Sequence, residues 1–220
     1  MSSRIEKISQ RSKGQILERL KKAYKMPEFE RKASIDPVAH IQKSDEMLEE
    51  MKRKMTDNKY IVEQCDGISL ESKINEIVKS YGYQKMIYGE SLELDINKIE
   101  ATQKICFNQE IENLRTDVFH SDFSIVRARV GVSSHGVALV HSSKMQPRML
   151  SLAPTLCIML LKKENIVGSL VEALNLVKAE NEVLPSNILF IAGPSRTADI
   201  ELITVFGVHG SQKVHIILYE

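Results

Sequence analysis

The chain has 220 residues, 43% hydrophobic and 27% charged, with a net charge of +1, the make-up of a globular protein with one substantial core. No apolar run reaches the roughly 18 residues of a membrane span, and no apolar leader follows Met1, so a cytoplasmic protein without a transmembrane segment is expected. Three cysteines, Cys65, Cys106 and Cys157, lie far apart and outside any CxxC, which argues against a disulfide framework and against a four-thiolate iron–sulfur site built from this chain alone. Six histidines are scattered without HExxH or HxH spacing, so no metal site is expected.

Charge is uneven along the chain. Residues 1–60 carry 15 Lys/Arg against 10 Asp/Glu, and the remainder 15 against 19. The basic surplus falls on a helix predicted over 12–25, where Ile16, Leu17, Leu20 and Tyr24 recur at helical spacing. No aromatic interleaving accompanies it, so it reads as the solvated side of a packing arm, without a nucleic-acid partner. A second helix is predicted over 41–55, after Asp36-Pro37. Together these define an N-terminal helical arm over 1–57 that clasps its own core or a second subunit, a route to a homo-oligomer.

From Lys59 the pattern changes to alternating strand and helix. Strands are predicted at 60–63 and 85–88, with a helix over 70–81 between them. Residues 89–120 show little period beyond a strand at 104–107. Apolar runs at 125–132 and 137–141 follow, then a strand at 156–161 with Cys157 as a small core residue, and a helix over 166–178. Strands alternating with helices imply a largely parallel sheet covered on both faces, an α/β domain over 58–220.

The tail, SNILFIAGPSRTADIELITVFGVHGSQKVHIILY, carries the densest chemistry. Ile188–Ile191 reads as a buried strand stopped by Gly193-Pro194. Ser195 and Thr197 can each cap a following short helix whose first turn holds Asp199 and Glu201. Gly207 and Gly210 flank His209 where that helix ends, and 214–218 returns as a strand. Ligands of open α/β sheets sit outside the carboxyl ends of strands, which points to this turn. Unpaired N–H groups at a helix start make an anion pocket. The Ser195 and Thr197 hydroxyls add donors, Arg196 can hold a carboxylate or phosphate in bidentate fashion, and Gly193 allows close backbone approach. Arg148 and Ser151, in the PRMLSLAP segment, offer a second anion contact, and Gly210 completes the turn beside His209. A small carboxylate, a phosphate or a CoA pyrophosphate suits these groups. Equally, Arg196 can pair with Asp199 and the turn can serve structure alone. His209 is an acid–base candidate for catalysis near neutral pH, or a turn residue bonding a carbonyl.

FIAGPSRTADIE followed by GVHG and a short apolar strand resembles the C-terminal signature of the LUD-domain family, in its LutC/YkgG or lactate utilisation protein C type. The basic segment SRIEKISQRSKGQILERLKKAY, PRMLSLAP and the helix from Glu164 are similar in matching order. The resemblance implies a three-layer α/β fold related to the NagB/RpiA-like superfamily of sugar-phosphate isomerases and CoA-transferases. It also implies a non-redox subunit, with substrate-binding or assembly duty, working beside two iron–sulfur proteins that oxidise L-lactate to pyruvate. Cofactors are then expected on those partners and not on this chain. One departure stands out: where the family carries a Glu-Thr-Gly-Thr-like segment, this chain has Ser134, His135, Gly136 and Val137. A free-standing handler of CoA or sugar phosphates, or a ligand-sensing module without turnover, remains an alternative reading. The first of these lacks a glutamate nucleophile at 133–137.

Overall fold

Six apolar runs end up side by side as parallel strands. The computed structural model describes residues 2–24, 45–90, 92–197 and 204–220. In chain order these form α1 (Ser2–Tyr24), α2 (Met47–Asp57), β1 (Ile61–Gln64), α3 (Leu70–Tyr81), β2 (Lys85–Tyr88), β3 (Gln103–Cys106), α4 (Ile111–Phe119), β4 (Phe123–Arg127), β5 (Val130–Val132) and β6 (Val137–His141). There follow β7 (Leu156–Lys162), β8 (Ile166–Val167), α5 (Leu170–Glu180), β9 (Ile188–Ile191), β10 (Arg196–Thr197), β11 (Val205–Phe206) and β12 (Lys213–Tyr219). The main sheet runs β1-β12-β7-β4-β2-β3 with every pair parallel.

Alternate residues of these strands feed two separate cores, as the two-residue period of a strand requires. On one face Met86, Phe123, Ile125, Leu156, Ile158 and Ile217 pack with Leu70, Ile74, Ile77 and Val78 of α3. On the other, Ile87, Val126, Cys157, Met159, Leu161 and Ile216 pack with Met51 and Met55 of α2, Val118 of α4, and Ala138 and Val140 of β6. Strands buried on both faces are what continuous apolar runs make.

A second, four-stranded sheet, β8-β5-β6-β9, lies over that second face. Here β6 pairs antiparallel with both β5 and β9, while β8 joins β5 in parallel. Its inward residues, Ala138 and Val140, belong to the large core; Val137 and Leu139 point the other way and pack with Ala173 and Val177 of α5. The run expected as one strand at 125–132 is therefore two strands in two sheets, with Ala128 and Arg129 as the joint.

Met1–Pro37 and Val38–Glu220 form two compact units. The first holds α1, longer than the expected 12–25, with Lys21 and Lys22 in its last turn suiting the helix dipole. The second holds α2, whose Met51 and Met55 are wholly buried in the core. The helix expected as the end of the arm is thus built into the α/β unit, because its apolar side is needed to cover the sheet. Residues 41–44 of that expectation lie outside the described residues.

Candidate functional site

The loops singled out by the sequence gather at one place. Gly193 follows β9 with φ of 82°, and a Cβ there would stand 2.0 Å from the Asn58 carbonyl oxygen, so only glycine lets the chain pass. Just before it, the Tyr60 hydroxyl donates to the Ile191 carbonyl at 2.5 Å. The Ser195 N–H donates to the Ser211 carbonyl and the Gly207 N–H to the Ser195 carbonyl, each at 3.0 Å. His209 N–H reaches the Ser195 hydroxyl at 3.4 Å, Gly210 packs on the Ser195 side chain, and the Ser211 hydroxyl donates to the Ser151 carbonyl at 3.5 Å. Gln212 and Lys213 both donate to the Thr155 carbonyl.

Two expectations about this place need correcting. It lies at the amino ends of β7 and β12, which start at Leu156 and Lys213, not at the carboxyl ends of the parallel sheet. The strand that leads into it, β9, belongs to the antiparallel second sheet. And Arg196–Thr197 are extended, pairing antiparallel with Val205–Phe206, so the expected helix cannot begin before residue 198, where the chain leaves the described residues. Asp199 and Glu201 lie outside the described residues. The N–H groups of Ser195 and Gly207 are used within the loop pair. Arg196 is exposed and its guanidinium donates to the Ala192 carbonyl at 3.0 Å. His209 is exposed, and among the described residues its ring has no hydrogen-bond partner.

Arg148 falls elsewhere. The segment 146–151 runs back along β4, from Gln146 beside Arg127 to Leu150, whose carbonyl accepts the Ser124 hydroxyl at 2.5 Å. Ser151 links the two places, its hydroxyl donating to the Arg148 carbonyl at 3.0 Å. Arg148 and Ser151 join His141 and Gln146 around a space of about 10 Å³, the size of one water.

Next to it, at the carboxyl end of β4, is a larger cavity of about 260 Å³ lined by Arg127, Arg129, His141, Ser143 and Gln146. Gln146 is buried and spent on the main chain. Its carbonyl accepts from Arg127 N–H at 2.7 Å, and its amide donates to the carbonyls of Arg127 and His141 at 3.1 and 3.4 Å. That clamp fixes the ends of β4 and β6 together. Arg127 pairs with Glu93 at 3.1 Å, and Lys162 reaches the other oxygen of Glu93 at 3.3 Å. Arg129 grips Glu180 through both Nε and Nη2, which offsets a carboxylate at the unfavourable end of α5. The Arg129 hydrogen bond, with the charges of Arg129, His141 and Arg127 beside it, holds Glu180 below the usual carboxylate range. Of these lining residues, Arg127, Arg129 and Gln146 were not singled out from sequence, and His141 enters there only with His135, as a poor metal pair. The available signal was FSIVRAR, two arginines closing a buried strand; nothing in sequence joins Gln146 to them.

The segment that departs from the expected Glu-Thr-Gly-Thr is the β5–β6 turn, seated on the end of α2. Lys54 donates to the Ser134 carbonyl and to Glu50, and Asn58 donates to the carbonyls of His135 and Gly136. At Gly136 φ is 60° and a Cβ would meet Lys54 at 2.5 Å, which explains why glycine stands there whatever its neighbours do.

The thiols are separated by the sheet. Cys65 follows β1 at one edge, Cys106 ends β3 at the other, and Cys157 is wholly buried in β7 between them. Five strand spacings of about 4.8 Å put the outer two roughly 24 Å apart. Burial pushes the Cys157 thiol up to about 12. Among the described residues no group of three or more His, Cys, Asp or Glu is placed to hold a metal ion, and no helix is long and apolar enough to cross a membrane.

Known proteins share this chain's sequence and fold. Lactate utilization protein C of Halalkalibacterium halodurans is 28% identical over 189 residues, covering 80% of each chain. Lactate utilization protein C of Bacillus subtilis is 35% identical over 101 residues, 44% of this chain and 42% of that one. The uncharacterized protein YkgG of Escherichia coli is 39% identical over 99 residues, 44% and 43% of the two. The chain spans about half the length of several of the curated relatives it matches. A crystal structure of a DUF162 family protein from Deinococcus radiodurans superposes with a TM-score of 0.58 at 17% identity, over 80% of this chain and 97% of that one, and so shares the fold. The LUD domain family matches residues 48–219, from the first turn of α2 to the end of β12, and the chain belongs to that family.

Proposed function

We propose that this chain is a non-redox component of a lactate utilisation system, working in the cytoplasm beside iron–sulfur proteins that carry the electrons. Relatives named lactate utilization protein C support the pathway. The observation that carries the non-redox role is the separation of the thiols, Cys65 just past the end of one edge strand, Cys106 on the other edge strand and Cys157 sealed in the core between them. Oxidation of lactate to pyruvate releases two electrons and two protons, and no two thiols here are neighbours that could share a cluster to receive them.

The role within the system is assembly. The strand pair β10–β11 and the turn after it expose Val205, Phe206 and Val208 at 39%, 43% and 46% beside the exposed Arg196. An aromatic and an arginine among exposed aliphatics is the composition enriched at protein interfaces. Ser195, Gly193 and Gly210 hold this ledge in place through the loop pair, and His209, exposed on the same turn, serves contact more than proton transfer.

Tagged full-length protein, purified anaerobically from its own cells, should bring down iron–sulfur proteins and lactate-dependent dye reduction. Phe206→Ser and Arg196→Ala should weaken that capture. Clean, iron-free protein from lactate-grown cells would count against the reading, and turnover by the chain alone would make it a free-standing enzyme instead.

A further inference from the structure

We infer that the cavity between Arg127, Arg129 and His141 is a binding site for a small oxyanion, a carboxylate or a phosphate group. The inference rests on the cavity alone and not on the proposed partners.

Topology puts the cavity where ligands belong in a parallel sheet. From β2 the chain moves outward to β3 and then returns to place β4 on the other side of β2. The connections leaving β2 and β4 therefore diverge and open a crevice beyond their carboxyl ends. Glu93, in the connection after β2, and Arg127, the last residue of β4, meet across that crevice.

The charge is right for an anion. Arg127, Arg129 and His141 line the space, and Lys162 stands behind Glu93. Glu93 and Glu180 pair with the arginines and Glu164 stands within electrostatic reach of Arg129, but no carboxylate lines the space itself, whose charged walls are the two guanidinium groups. Glu93 takes Nη1 of Arg127, while Glu180 takes Nε and Nη2 of Arg129. Further donors on both guanidinium groups have no partner among the described residues. His141 lines the space as well, and its Nδ1, buried behind the wall, has no partner among the described residues. Glu93 is 56% exposed, and exposed ion pairs are weak in water, so it can yield Arg127 to a ligand.

Rigidity and size complete the argument. Gln146, clamped to the main chain of both Arg127 and His141, is the positioning residue that keeps the two side apart at a fixed distance. A space of about 260 Å³ is a little under the roughly 300 Å³ where drug-sized pockets begin. It suits a few-carbon acid or a phosphate group.

The test titrates the full chain with L-lactate and, separately, with inorganic phosphate, by calorimetry at low salt. At least one should bind. Arg127→Gln and Arg129→Gln should each weaken it about tenfold, the scale of one lost hydrogen bond to a charged group. Glu93→Gln, which frees Arg127, should tighten it a few-fold, a gain that misfolding does not mimic. Arg53→Gln, on the exposed side of α2, should leave it unchanged. Binding of lactate alone identifies a carboxylate site, and binding of phosphate alone a phosphate or phosphoester site. Failure of both anions to bind, or wild-type affinity in folded Arg127→Gln and Arg129→Gln together with no gain in Glu93→Gln, overturns the inference. Neither result depends on whether iron–sulfur proteins copurify.

Discussion

The two ends of the parallel sheet are held by different physics. At the amino ends of β1, β7 and β12 the chain is fixed by main-chain hydrogen bonds and by places where no Cβ fits, Gly193 against Asn58 and Gly136 against Lys54. At the carboxyl ends of β4 and β7 it is fixed by side-chain charge, with Arg127 and Lys162 sharing Glu93 and Arg129 holding Glu180. Steric fit is short-ranged and indifferent to salt. Charge pairs are screened and exchangeable. The first kind of end suits a surface that must keep its shape; the second suits a site where a ligand replaces a partner.

The sharpest test of the steric end is its anchor. Met51→Ala removes a wholly buried side chain that packs α2 on the sheet, and a loss of about 2–5 kcal/mol is expected from urea unfolding. A loss near zero would return α2 to the arm. Gly193→Ala should cost about 2–3 kcal/mol, combining overpacking with a left-handed backbone, and it should weaken partner capture through the β10–β11 ledge.

One titratable group breaks the division. His215, near the start of β12, is buried with Nε2 at 2.9 Å from the Tyr81 hydroxyl. Burial, and then the Lys213 charge, lower it to about 4. Below its unfolded value near 6.5 the unfolded chain binds the extra proton first. Its contribution is therefore complete above about pH 6.5, falls as pH drops, and is gone below about 4. Acid unfolding should show a loss on the order of 2–3 kcal/mol across that window, absent in His215→Asn. The smallest effect belongs to the charged end: Glu93→Gln should change stability by less than about 1 kcal/mol, a difference that disappears in high salt. A larger change would mean that the carboxyl end is built for stability rather than exchange.

How much of this was readable in the chain depends on the length of each apolar run. The strands at 85–88, 137–141 and 188–191 and the helix at 70–81 appear with the expected bounds, because each is a clean run ended by polar or glycine punctuation. The run at 125–132 hid a change of sheet, since Ala128-Arg129 carries no turn residue. Residues 195–207 read as a helix because RTADIELITVF has helical spacing as well as β-branched content, and short runs cannot be arbitrated by period. Antiparallel pairing holds Arg196–Thr197 against Val205–Phe206, and residues 198–203 lie outside the described residues. α4 was missed, its apolar positions Ile111, Leu114 and Val118 being too few to stand out. Of the site, the Ser195–Ser211 loops were legible because they are local. The cavity was not, since the fold alone brings residues from 93 to 180 together.

The strand from Lys213 to Tyr219 slots between β1 and β7, and pairs with a strand that left the ribosome about 150 residues earlier. Until it arrives, β1 has no neighbour and β7 keeps an open edge, the kind of edge that recruits other chains. Completion of the sheet must therefore follow synthesis of nearly the whole domain, and folding should be slow for its size. A nascent or clipped chain lacking only this segment would carry an unpaired β1 and an open apolar edge on β7, a natural flag for chaperones and proteases.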